Sequence, residues 1–177
     1  MTSAKDVHGE LYKLAGIFVL AFISIVLSYF MPSGYFSKLA NIKNIPCLGL
    51  GIFSGVLYIF WIALAREMYG RGYGILVSAI IVSLLLINGP WYGVVDPPYF
   101  GVFGFLSFIL MGIATDFING GVGSVLCLIT NWIAFGYFKN VYPKSFPLAV
   151  LTISITFFSG FIFDFLAKKF KKYLISS

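Results

Sequence analysis

The chain has 177 residues, of which 60% are apolar, 19% aromatic and only 10% charged, with a formal net charge of +6 and a mean hydropathy of +0.98. A water-soluble domain carries about 25% charged residues, so this composition excludes soluble enzymes, DNA-binding domains and disordered tails and puts the chain in a membrane. A spanning helix needs roughly 20 apolar residues, so six would take about 120 positions, leaving no room in 177 residues for a second, soluble domain.

The first apolar run, 14–30, follows a polar start holding Lys5, Asp6, His8, Glu10 and Lys13. With no small-residue cleavage site at its exit, it reads as an uncleaved span and not a signal peptide. The second span is expected at 47–66, after Pro46 and up to Arg66-Glu67, and the third at 73–88, closed by Asn88-Gly89-Pro90. The fourth, 98–115, opens at Asp96-Pro97-Pro98, where Asp caps free N–H groups and Pro fits a first turn. The fifth, 121–138, follows Asn119-Gly120-Gly121, and the sixth, 147–167, precedes Lys168-Lys169-Phe170-Lys171-Lys172. Continuous runs of this length are not the alternating segments of a membrane barrel. The expected fold is an all-α integral membrane protein, one compact bundle of six transmembrane helices over 1–177. No internal repeat or low-complexity stretch is evident.

Six spans put both ends on one side. That side collects Lys5, Lys13, Arg66, Arg71, Lys168, Lys169, Lys171 and Lys172, against Lys38, Lys43, Lys139 and Lys144 on the other. The positive-inside rule then makes both termini cytoplasmic in a multi-pass cell-membrane protein. The basic residues lie beside apolar runs, which is topology information and not a nucleic-acid patch.

The outward segments are then 31–46, 88–98 and 139–147. The middle one brings together Trp91, Tyr92, Asp96 and Tyr99, aromatic faces and a carboxylate suited to a small planar or cationic ligand. The competing reading is an interfacial aromatic belt, with Asp96 a helix cap. In the fifth span Ser124, Cys127 and Asn131 share one helical face, with Trp132 beside Asn131, and in the sixth Thr152, Thr156 and Ser159 form a second polar stripe. Such faces line a cavity or hold helices together by hydrogen bonds. Gly49, Gly51 and Gly55, and Gly101, Gly104 and Gly112, mark close helix contacts whose partner lies within the chain or outside it. Asp116 and Asp164, near inner helix ends, read as caps or lysine partners.

Catalytic signatures are missing: no HExxH, no G-x-S-x-G, no phosphate loop and no paired acidic magnesium motif. One histidine, His8, and two distant cysteines, Cys47 and Cys127, form none of the usual metal, haem or iron–sulfur ligand sets, and the cysteines read as free thiols. The expectation is a protein that is not an enzyme and needs no cofactor or metal.

Gly-Leu-Gly-Ile-Phe-Ser-Gly at 49–55, Gly-Pro-Trp-Tyr-Gly at 89–93 and the Gly-rich stretch from Phe100 to Trp132 resemble the substrate-binding S components of energy-coupling factor (ECF) vitamin transporters. Within that family the chain is similar to the subset associated with thiamine or its hydroxymethylpyrimidine precursor. The resemblance implies a six-helix capture subunit without ATPase activity, which topples in the membrane to deliver its ligand. A separate transmembrane subunit and two cytoplasmic ATPases supply the work. It assigns substrate binding to Trp91, Tyr92, Asp96, Tyr99, Asn131 and Trp132. The family's first span typically docks the transmembrane partner through Ala-x-x-x-Ala. Here Ala15 is followed by Val19 and Ala21 by Ile25, so Gly16 with Gly51 and Gly55 are the docking candidates. Two other readings stay open: a structural or assembly subunit of a larger membrane complex, or a small enzyme acting on lipid headgroups with Asp96 or Asp116 as base.

Overall fold

A computed structural model describes residues 4–30, 47–88, 97–140 and 142–176. The protein is all-α, with no strand among the described residues. The described residues form six helices, α1 (Ala4–Phe30), α2 (Leu48–Tyr69), α3 (Tyr73–Asn88), α4 (Pro97–Phe117), α5 (Gly120–Lys139) and α6 (Phe146–Ser176). Segments of α1, α2, α5 and α6 are long and apolar enough to cross a membrane, whereas the apolar stretches Tyr73–Ile87 and Gly101–Phe117 are shorter. The helix ends outrun the expected spans at both termini. Glu10 and Lys13 pair one turn apart at 2.7 Å and carry α1 back to Ala4, and α6 continues through its lysines because Lys is a good helix former.

The helix α2 is the hub. It packs against each of the other five, while α1, α3, α4, α5 and α6 follow one another around it as neighbours. Its apolar window is 61% buried, against 17% for α6, which turns Phe158, Phe161, Ile162 and Phe165 outward as a lipid-facing surface. Ile17, Leu57, Ile59, Ile62, Val77, Ile81 and Met111 form the core around the hub, and Tyr58 meets Phe108 edge to face at 4.9 Å.

Midway along, α2 widens into one π-helical turn, Gly55–Ile59, where the Phe60 N–H bonds back to the Gly55 carbonyl. Irregular backbone at membrane depth must find new partners, and neighbouring helices supply them. Ser159 Oγ on α6 accepts from Gly55 N at 3.3 Å and donates to the Ile52 carbonyl at 2.8 Å. Ser24 Oγ on α1 donates to the Leu57 carbonyl, and Trp61 Nε1 to that of Val56 at 3.1 Å. Of the polar stripe of α6, Ser159 is helix glue that clamps the π turn, whereas Thr152 and Thr156 bond back to their own helix.

Two tight turns close the end of the bundle that is the inner one in the topology expected from charge. Gly70 and Gly72 both have positive φ, 107° and 92°. Gly70, at ψ 179°, occupies a region open essentially to glycine alone. Replacing Gly70 by Ala is expected to lower stability by about 1–3 kcal/mol, read as a lower unfolding midpoint in detergent, whereas Gly9→Ala, at an open exposed helix position, leaves the midpoint unchanged or raises it.

These turns reveal a repeat that the sequence pattern conceals. Asp116 Oδ2 on α4 accepts from Gly72 N at 2.9 Å and Ile75 N at 3.2 Å, capping α3. Asp164 Oδ2 on α6 accepts from Gly120 N at 3.0 Å, capping α5. Both bonds span 44 positions. The two acids sit in Gly-x-x-x-Asp-Phe, Gly112 to Phe117 and Gly160 to Phe165. Each of those glycines packs against the preceding helix, Gly112 on Ser78 and Ile75, Gly160 on Gly120 and Ser124. The hairpins α3–α4 and α5–α6 are therefore two copies of one design, which corrects the expectation of no repeat. Conserved spacing of a cap and a small residue is a faint signal beneath two otherwise unrelated apolar runs.

Candidate functional site

Toward the opposite end, the outer one in the expected topology, the last eight residues of α5 after Asn131 amount to about 12 Å of helix, so this side chain lies well below the end of its helix. Asn131 is 1% exposed. Its Nδ2 donates to the Cys127 carbonyl at 2.7 Å and lies 3.6 Å from Cys127 Sγ. Its Oδ1 is buried and has no hydrogen-bond partner among the described residues. An unmet buried carbonyl costs about 1–3 kcal/mol, and hydrocarbon offers it no water.

On the adjoining face of α5, the half-buried Trp132 joins Leu128, Phe135, Leu50, Ile153 and Cys47 in an apolar cluster. Three elements thus meet beside Asn131: the start of α2, the outer half of α5 and the outer part of α6. Cys47 enters α2 in the left-handed region at φ 64°, a conformation uncommon for any residue but glycine. Both cysteines are buried free thiols.

Of the other expected binding residues, Trp91, Tyr92 and Asp96 lie outside the described residues. Tyr99 falls in the first turn of α4, its side chain likewise outside the description. Of the expected set the structure describes the side chains of Asn131 and Trp132, sequence neighbours on adjoining faces of α5. The three candidate docking glycines have neighbours within the chain: Gly51 faces Thr156, Gly55 faces Ser159 and Phe163, and Gly16 faces the Tyr69 hydroxyl. The small-residue faces of α2 are spent on α6, and that of α1 on α2.

The inner end holds a second constellation, which sequence reading treated as separate residues. Arg66, its side chain 10% exposed, donates to Asp164 Oδ1 at 2.7 Å, to Glu67 Oε1 at 2.8 Å and to the Thr115 carbonyl. Asp164 is 2% exposed, with Lys168 Nζ a further 3.7 Å from its Oδ2. One guanidinium therefore ties α2 to α4 and α6 at the very acid that caps α5. The signal in the sequence was an Arg-Glu pair at the end of an apolar run facing two acids at equivalent repeat positions. Asp116 holds two backbone N–H groups through Oδ2, so its carboxylate acts as a cap, as the sequence reading of helix-end acids expects. This end is built to lock helices in place.

Comparison with protein-family models, with curated proteins and with solved structures finds no match.

Proposed function

We propose that the protein is a membrane-embedded substrate-capture subunit of an ECF-type vitamin or vitamin-precursor uptake transporter. It binds a small heteroaromatic ligand at its outer end and leaves energy supply to a separate transmembrane subunit and two ATPases. Both termini then face the cytoplasm of a cell-membrane protein, in line with the eight-to-four division of Lys and Arg between the two ends.

The observation that carries this reading is the Asn131 carboxamide, buried with a free carbonyl oxygen next to Trp132 in the outer half of the bundle. A buried acceptor that the described residues leave unmatched is a recognition element for a ligand N–H, and an indole ring alongside suits a flat ring system. The sequence between α3 and α4, 89–96, includes Trp91, Tyr92 and Asp96, which supply stacking and a charge partner in this reading. The inner end supports it differently. Arg66, Asp116 and Asp164 tie neighbouring helices and turns together, as a subunit that reorients as a rigid body requires.

Gly51 and Gly55 are already against α6, which leaves them free neither for an assembly partner nor for docking the transmembrane subunit, whereas Gly101 meets nothing within 4 Å. In the enzyme reading Asp116 is the base: its Oδ2 is committed as a helix cap, its buried Oδ1 has no hydrogen-bond partner among the described residues, and no nucleophile or metal-binding motif accompanies it in the sequence. The proposal is tested by native mass spectrometry of the freshly purified chain. A co-purified small molecule of vitamin-like mass, released on gentle activation, is the expected result. A bare chain from cells grown with a full vitamin supply would count against it.

A further inference from the structure

The inner end also carries an open cavity of about 430 Å³ between α2, α4 and α6, its lining including Arg66, Arg71, Asp116, Phe117, Lys168 and Lys171. Its charges are unevenly committed. Arg66 is held by Asp164 and Glu67, and Asp116 caps the start of α3 through Oδ2, its buried Oδ1 having no hydrogen-bond partner among the described residues. Arg71 and Lys171 have no ion-pair partner among the described residues, Arg71 lying instead over the Phe117 ring at 6.0 Å. Lys168, half exposed, makes only a long contact with Asp164. At the rim Phe117 is 58% and Ile118 63% exposed, directly beside these cations.

We propose that this cavity binds the phosphodiester headgroup of an anionic membrane phospholipid. The cations converge where α2, α4 and α6 reach the membrane surface, the guanidinium of Arg71 offers a planar fork and Lys171 a point charge for phosphate oxygens, and the exposed Phe117 and Ile118 meet the upper acyl chains. A water-borne phosphate would use the cations but gains nothing from the apolar rim. Lys169 and Lys172, next in sequence on α6, extend the basic field along the bilayer surface in the manner of juxtamembrane polybasic segments. This site lies at the opposite end from Asn131 and does not depend on the capture reading.

The test uses the full chain purified in detergent and titrated with phosphatidylglycerol or phosphatidylcholine, bound lipids being counted by native mass spectrometry. The wild type and Lys144→Gln, altered at an exposed outer residue, are expected to retain phosphatidylglycerol in preference to phosphatidylcholine. Arg71→Gln/Lys171→Gln loses about thirtyfold in affinity for phosphatidylglycerol, from two juxtamembrane charges, while the charge-keeping Arg71→Lys/Lys171→Arg retains most of it. Equal retention of both lipids, or unchanged phosphatidylglycerol binding in the glutamine variant, overturns the proposal. So does full displacement of phosphatidylglycerol by inorganic phosphate, which would assign the cavity to a soluble anion. Should the glutamine variant not fold, the single Arg71→Gln change, expected to weaken phosphatidylglycerol several-fold, decides in its place.

Discussion

Arg66→Met is expected to lower the stability of the purified protein by about 3–5 kcal/mol, the cost of leaving a buried charge without its partner. Asp164 is 2% exposed and keeps only a distant lysine as a charge partner once the guanidinium is gone. The Thr115 carbonyl and Glu67 lose a donor in the same change. The effect is read from thermal or denaturant unfolding in detergent. The double variant Arg66→Met/Asp164→Leu removes both charges and is expected to recover part of the loss, because well-packed apolar pairs often replace a buried ion pair at little cost. Recovery will be incomplete, since Asp164 also caps α5 through Gly120 N. If Arg66→Met unfolds at the wild-type midpoint, the inner end is not the lock described above.

Asn131→Leu is expected to do the opposite. The substitution removes a buried carbonyl with no partner among the described residues together with one bond to the preceding turn, so stability should stay level or rise by about 1 kcal/mol. Ligand binding should fall by more than tenfold, because a polar recognition group turned apolar leaves the ligand's own donor unmatched. The contrast separates a binding residue from a structural one. A variant that loses stability and binding together would make Asn131 part of the scaffold.

Much of the fold was legible because hydrophobic runs and their Pro and Gly breaks report directly on helices in a membrane. The spans at 73–88, 98–115 and 121–138 end within two residues of the observed helices. The other ends were less legible, since the limits of a membrane slab and the limits of a helix are different physical boundaries. Gly70 stops α2 by its backbone conformation, three residues beyond the expected end at Arg66, and nothing comparable stops α6 at Ala167. The π turn was not legible. Gly55 permits the close approach of Ser159 and Phe163, but a glycine that admits a neighbour looks in sequence like any other small residue. The Arg66–Asp164 pair joins residues 98 positions apart, a separation that no local pattern encodes. Asn131 could be picked out because an amide in a span is costly. Its pairing with Trp132 beside Cys47 and Ile153 required the packing of three helices.

The measurement that tests the account most directly is a tryptophan-fluorescence titration of the purified full chain with thiamine, hydroxymethylpyrimidine and other vitamins. The chain has three tryptophans, of which Trp132 adjoins Asn131 and Trp91 lies in the segment joining α3 to α4. The capture account predicts saturable quenching by one compound of the panel, lost in Trp132→Phe or weakened in Asn131→Leu. No saturable response to any compound, from a chain whose unfolding transition shows it to be folded, would contradict it.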